Sequence, residues 1–426
     1  MGINRKKTAA LGALVALTAA VLAAPAGASV RTSPWDSIQS WETGTVTRVV
    51  DGDTMIVTDD VTDVKSRIRL IGINTPETYS ATDQVAHCGG WQATAALEEL
   101  APVGTKVRLA SLDPASTGKS KRPQRTVLAW NPISQQYDQD LAWAMAERGW
   151  GHWFTVADEA AMSSLYREVI KSAQQRKVGI WNPDLCGVNE QPEANILLRV
   201  NRSAESLNDE WVTVRNLGAT PIDLSGWRIR DTGNTAIYLF PGGSILSPGD
   251  YRIIRSGVGA PGGTDGRTLF IGKKTNLVYN DPGTGPYLVG DAAYLLDRYG
   301  NYRFTREYPC LNGCELDALE GSVVISEIFL GKKKGKTRAA TQFVRLLNTG
   351  ATTQCLDGYR IVTGNTTFRF DPGTCLAPGT TWTLRSGVGE NTAINHFLDR
   401  KISMLWLNGS LTLISDREQV MGERFW

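Results

Sequence analysis

Val49–Val57 reads VVDGDTMIV, and Ser66–Thr78 reads SRIRLIGINTPET. Both runs are rich in β-branched residues with partial alternation, the pattern of half-buried strands. Asp51-Gly52-Asp53 is a tight-turn tripeptide between apolar runs. The two runs bring Asp53, Arg69, Asn74, Thr75 and Glu77 into one sequence neighbourhood. That set offers oxygen ligands for a hard cation, a planar guanidinium that can grip phosphate with two hydrogen bonds, and a carboxylate that can activate water.

Outward from this segment, TVTRVV (45–50), TKVRLASL (105–112) and RTVLAW (125–130) read as further strands. WQATAALEEL (91–100), DQDLAWAMAERGW (138–150) and EAAMSSLYREVIKSAQQRKVGIW (159–181) read as helices, with Gly179 as the stop of the last one. Five strands with flanking helices over 42–187 suit a small oligonucleotide-binding (OB) barrel.

This segment resembles the staphylococcal nuclease (thermonuclease) family over residues 44 to about 181, through DGDT and the later RLIGINTPE. The resemblance implies a calcium-dependent phosphodiesterase acting on DNA and RNA. It assigns Asp53 and Thr75 to calcium, Thr75 through its carbonyl. Asn74 stands where the family often has a second aspartate; its amide oxygen can still ligate but carries no charge. Arg69 is assigned to the phosphate and Glu77 to the attacking water. Arg125 is the expected second arginine, with Arg122 as its competitor. Pro123 stands where the family often has tyrosine. Groups that address phosphate and not base edges imply low sequence specificity, and an OB surface favours single strands.

After a linker, VNEQPEAN (188–195), the chain repeats itself. Gly226-Trp227-Arg228-Ile229 recurs as Gly358-Tyr359-Arg360-Ile361, and Arg255–Gly259 recurs as Arg385–Gly389. Short strands punctuated by turns in each copy indicate two β-sandwiches, expected at 193–309 and 320–426. Ile325-Ser326-Glu327, the Asn-x-Gly turns, DLSGW (223–227) and the Pro-Gly turns resemble the lamin-tail domain. That resemblance implies an immunoglobulin-like sandwich used as an accessory or attachment module. The whole chain is therefore expected to be multidomain and mainly β: an OB-fold barrel with flanking helices (α+β) followed by two immunoglobulin-like β-sandwich repeats.

Arg5, Lys6 and Lys7, an apolar stretch from Ala10 to Ala24, and Ala26-Gly27-Ala28 form a secretory signal pattern over 1–28. Its removal takes three basic and no acidic residues from a chain of charge +2, leaving −1. A nucleic-acid site must then be a local basic patch. The loop SLDPASTGKSKRPQ (111–124), with Lys119, Lys121 and Arg122, is one candidate for phosphate steering. GKK (272–274) and GKKKGKTR (331–338) are others, which also suit an anionic cell envelope. Six cysteines fit an oxidising compartment and are expected to pair as Cys88–Cys186, Cys310–Cys314 and Cys355–Cys375. Scattered histidines (His87, His152, His396) give no support to a histidine-based triad, and no apolar run is long enough to anchor the mature chain in a membrane. A non-catalytic binding or adhesion protein is the competing expectation.

Overall fold

The computed structural model describes residues 38, 41–79, 86–117, 121–155, 159–202, 206–234, 236–263, 266–272, 289–310, 319, 321–331, 336–364, 366–400 and 402–426. The signal pattern, Lys119, Cys314, and residues 273–274 and 332–335 of the two basic loops of the repeats lie outside them.

The first domain is built from β1 (Glu42–Asp51), β2 (Thr54–Asp59), β3 (Lys65–Leu70), β4 (Ile73–Asn74), α1 (Gly90–Leu100), β5 (Lys106–Ala110), β6 (Gln124–Asn131), β7 (Gln136–Asp140), α2 (Leu141–Glu147), β8 (His152–Trp153) and α3 (Ala160–Arg176). The main sheet runs β3-β2-β1-β5-β6-β7 and closes through a parallel β3–β6 pairing, which makes a five-stranded barrel extended by the β7 hairpin strand. Alternate residues fill its interior: Val46, Met55, Val57, Ile68, Leu70, Val107, Leu109 and Val127 are buried. Each such side chain stabilises the fold by roughly 1.5–3 kcal/mol relative to exposure. Helix α1 adds Ala93, Leu97 and Leu100 to this interior.

Two local expectations are corrected. DQD is strand, and the following helix begins only at Leu141, because Asp140 caps it by accepting from Trp143 N at 3.0 Å. The third helix ends at Arg176 with Lys177 as its left-handed cap; Gly179 opens a separate 3₁₀ turn, Gly179–Trp181.

The second and third domains repeat one architecture. In the first sandwich, one sheet orders strands 268–270, 251–255, 211–216 and 196–201, and the other orders 237–239, 228–230, 291–296 and 302–308. In the second, 323–329, 343–348, 381–385 and 395–397 face 366–369, 360–363, 410–414 and 420–425. Trp227 and Tyr359, the equivalent residues of the repeat, are both wholly buried at the centres of their cores. Cys88–Cys186 and Cys355–Cys375 are disulfides, as expected; Cys310 is also disulfide-bonded, but Cys314 is not among the described residues. The two sandwiches are joined by buried ion pairs. Asp416 accepts from Arg306 Nε at 2.9 Å and from Val200 N at 3.1 Å, and Arg215 meets Asp357 at 3.0 Å. Among the described residues no helix is long and apolar enough to cross a membrane.

Candidate active site

The site lies where β1 turns into β2. A register shift between Val49 and Asp51 bends the end of β1, and Asp51 pairs with Thr54 across the turn. Gly52 allows close approach: a Cβ there would lie 2.7 Å from both Ala93 Cβ and Thr75 Oγ1. The turn is thereby seated against α1 and the segment after β4.

Asp53 is the hub. Its Oδ2 accepts from Thr75 N at 2.8 Å and pairs with Arg69 Nη1 at 2.7 Å; its Oδ1 accepts from Thr54 Oγ1 at 3.0 Å. Arg69 comes from β3, opposite Thr54 in register, and donates through Nη2 to Asn74 Oδ1 at 2.6 Å. Phe154, just after β8, lies 5.4 Å from the guanidinium as a cation–π neighbour. Asp53, Arg69, Asn74 and Thr75 are all buried, and Glu77 is half-buried.

Glu77 titrates high. Burial, then the charges of Asp53 and Asp51, push its carboxyl up to about 7, against the opposing pull of Arg69 and Arg230. Burial and Asp53 likewise push Asp51 up to about 6. Asp51 is a site residue that the sequence reading missed, although its i, i+2 spacing from Asp53 on a turning strand was the available signal.

The structure places the two candidates for the second arginine, Arg125 and Arg122, in different surroundings. Arg125 pairs in register with Leu70, one residue beyond the Arg69–Gln124 pair, so it faces away from Arg69. Its guanidinium is buried against Gln124 O (2.9 Å), Pro114 O (3.1 Å) and Ser116 O (3.3 Å), with Glu42 at 3.6 Å. Arg122 reaches the site instead: its Nη1 donates to Thr54 Oγ1 at 3.2 Å, and the charges of Arg69, Asp53, Arg67 and Asp51 act on it.

Among the described residues no group of three His, Cys, Asp or Glu side chains is disposed to hold a metal ion. The chemistry of the donors nevertheless fits a hard cation. They are oxygen-only, and burial first, then the neighbouring carboxylates, raise the carboxyl groups of Asp51 and Glu77. Asp51, Asp53 and Glu77 supply oxygen donors of the right chemistry, but their side chains are not gathered into a ligand set in this structure. Asn74 is differently engaged: its oxygen faces Arg69, and its Nδ2 donates to Thr232 O of the first sandwich at 2.7 Å. Thr75 contributes its N–H to Asp53 and is wholly enclosed.

Of the aromatic residues in RGWGHWF, Trp153 is core, donating to Ser163 O at 2.9 Å, and Phe154 alone reaches the site. His152 is buried with Tyr302 2.8 Å from its Nε2, and burial holds its pKa well below the usual value.

The family model described as Lamin Tail Domain matches residues 191–309 and 317–421, the two sandwiches. No curated protein matches the chain.

Proposed function

We propose, from a chain that belongs to the lamin tail domain family over more than half its length and carries a separate barrel before those domains, that the barrel is a secreted, metal-dependent nuclease of the thermonuclease type. The observation that carries this reading is the convergence of Asp53, the Arg69 guanidinium, Arg122 and the half-buried Glu77, whose carboxyl is pushed up to about 7 by burial and then by the two aspartates. A general base works best when its pKa lies close to the operating pH.

The chemistry follows from these residues. Ionised Glu77 takes a proton from water, and the water oxygen attacks phosphorus. The bond to the leaving oxygen breaks, and that oxygen takes a proton from solvent. Arg69 and Arg122 donate hydrogen bonds to the phosphoryl oxygens as negative charge grows there. Arg69 must first exchange Asp53 and Asn74 for the phosphate. Calcium, when bound, would neutralise the phosphodiester charge that repels the nucleophile. The family resemblance adds that the 5′-oxygen leaves and 3′-phosphate ends remain.

DNA and RNA, single-stranded in preference, are the proposed substrates. The disulfides support an extracellular setting, and the sandwiches are proposed as attachment or substrate-holding modules. Digestion of single-stranded DNA by the full chain, with calcium and with a chelator, tests the reading. Strand binding without cleavage under any divalent cation would overturn it.

One observation favours a second reading, a non-catalytic binding protein. The oxygens of Asp53 and Asn74 are committed to Arg69, and the site lies beneath a contact with the first sandwich.

A further inference from the structure

That contact has a definite construction. Asn74 uses both ends of its amide, the oxygen toward Arg69 and the nitrogen toward Thr232 O. Thr232 is itself fixed within the first sandwich: its N–H donates to Asp291 Oδ1 at 3.0 Å, and its Oγ1 accepts from Ala292 N at 3.0 Å. Two residues on, Asn234 Nδ2 lies 3.5 Å from His87 Nδ1, and the same ring nitrogen accepts from Glu77 N at 3.4 Å. The loop from Asp231 to Asn234 therefore lies against both Asn74 and the neighbourhood of Glu77. A second seam supports it. Thr155 Oγ1 exchanges hydrogen bonds with the backbone of Gly290, and a Cβ at Gly290 would fall 2.4 Å from the Trp153 ring. Only glycine lets the sandwich come this close to the barrel.

We infer that Asn74 is a latch between domains, holding the first lamin-tail sandwich closed over the candidate active site as an autoinhibitory cover. The amide is chemically required for this role. An aspartate at position 74 could still face Arg69, but it would set a carboxylate oxygen against the Thr232 carbonyl, where no proton is available. The residue that departs from the thermonuclease pattern is thus the one that the sandwich uses. Substrate phosphate gains the buried Arg69 when the loop lifts. The consequence for cleavage rests on the nuclease reading; the latch itself does not.

The test uses the full chain and two variants that act from opposite sides. Asn74→Asp removes the latch from the barrel side. Gly290→Ala wedges the seam from the sandwich side and touches none of the site residues. Amide hydrogen exchange over 229–236 and 289–292 reads the latch, and cleavage of single-stranded DNA with calcium reads its consequence. Circular dichroism checks that both variants are folded. The expected result is exchange at least tenfold faster over both segments in each variant, with cleavage about tenfold faster. Unchanged exchange in folded Asn74→Asp would overturn the latch. Faster exchange with slower or equal cleavage in both variants would overturn autoinhibition and make the sandwich a working wall of the site. Faster exchange with no cleavage by any form would sustain the latch and defeat the nuclease reading instead.

Discussion

Replacing Glu77 by glutamine should stabilise the metal-free protein at alkaline pH. In the folded chain the Glu77 carboxyl is raised from 4.5 to about 7 by burial and by its aspartate neighbours. A raised acid is easier to ionise in the unfolded chain than in the folded one. Its contribution to stability is therefore full below about pH 4.5, declines as pH rises, and is gone above about 7. A shift of this size corresponds to roughly 3 kcal/mol at about 1.36 kcal/mol per pKa unit. Glu77 is only half-buried, and solvent screening reduces that to about 1.5 kcal/mol. Glutamine keeps the shape and removes the charge. In the presence of a chelator, the variant should melt about 3–6 °C above the wild type at pH 8, with the gap narrowing toward pH 5. Calorimetric melts of both proteins across that range provide the assay. A variant that melts below the wild type at pH 8, or a gap that does not change with pH, would refute the electrostatic description of the site.

Arg122→Gln should lower cleavage at least tenfold with little change in melting temperature, because its guanidinium is half-exposed beside Thr54; Arg125→Gln should do the reverse, since it strips partners from buried carbonyls. Paired kinetics and melts separate the two. Replacing both Cys88 and Cys186 by serine should cost about 4–5 kcal/mol in the chain-entropy description, because the bond closes a loop of 98 residues; a melting temperature unchanged in the double variant would count against it.

The barrel and both sandwiches were legible because their signals are local or repeated. The Asp51–Thr54 turn, the Arg69 strand and the segment through Glu77 lie within about thirty residues, so their proximity in sequence grouped Asp53, Arg69, Thr75 and Glu77, the resemblance supplied their expected roles, and the fold joins the first three directly. Arg122 and Arg125 were not separable on the same grounds. Which one faces Arg69 is set by the β3–β6 register, and a shift of one residue reverses the face. Asn74 was legible as a departure from a pattern but not as an interdomain donor, because its partner Thr232 lies 158 positions away. Phe154 gave no sign of its place over Arg69 for a similar reason: the turn after β8 carries it there, and nothing in RGWGHWF distinguishes it from the core residue Trp153. Gly179 looked like the stop of the last helix, yet Lys177 adopts the left-handed cap, since a cap is fixed by backbone geometry and glycine is only its commonest occupant.

The most direct measurement is single-turnover digestion of single-stranded DNA by the folded full chain and by Glu77→Gln, each with calcium and with a chelator. The account predicts calcium-dependent cleavage by the wild type that falls at least a hundredfold in the variant. Equal cleavage by both proteins, or none by the wild type while it binds the strand, would contradict it.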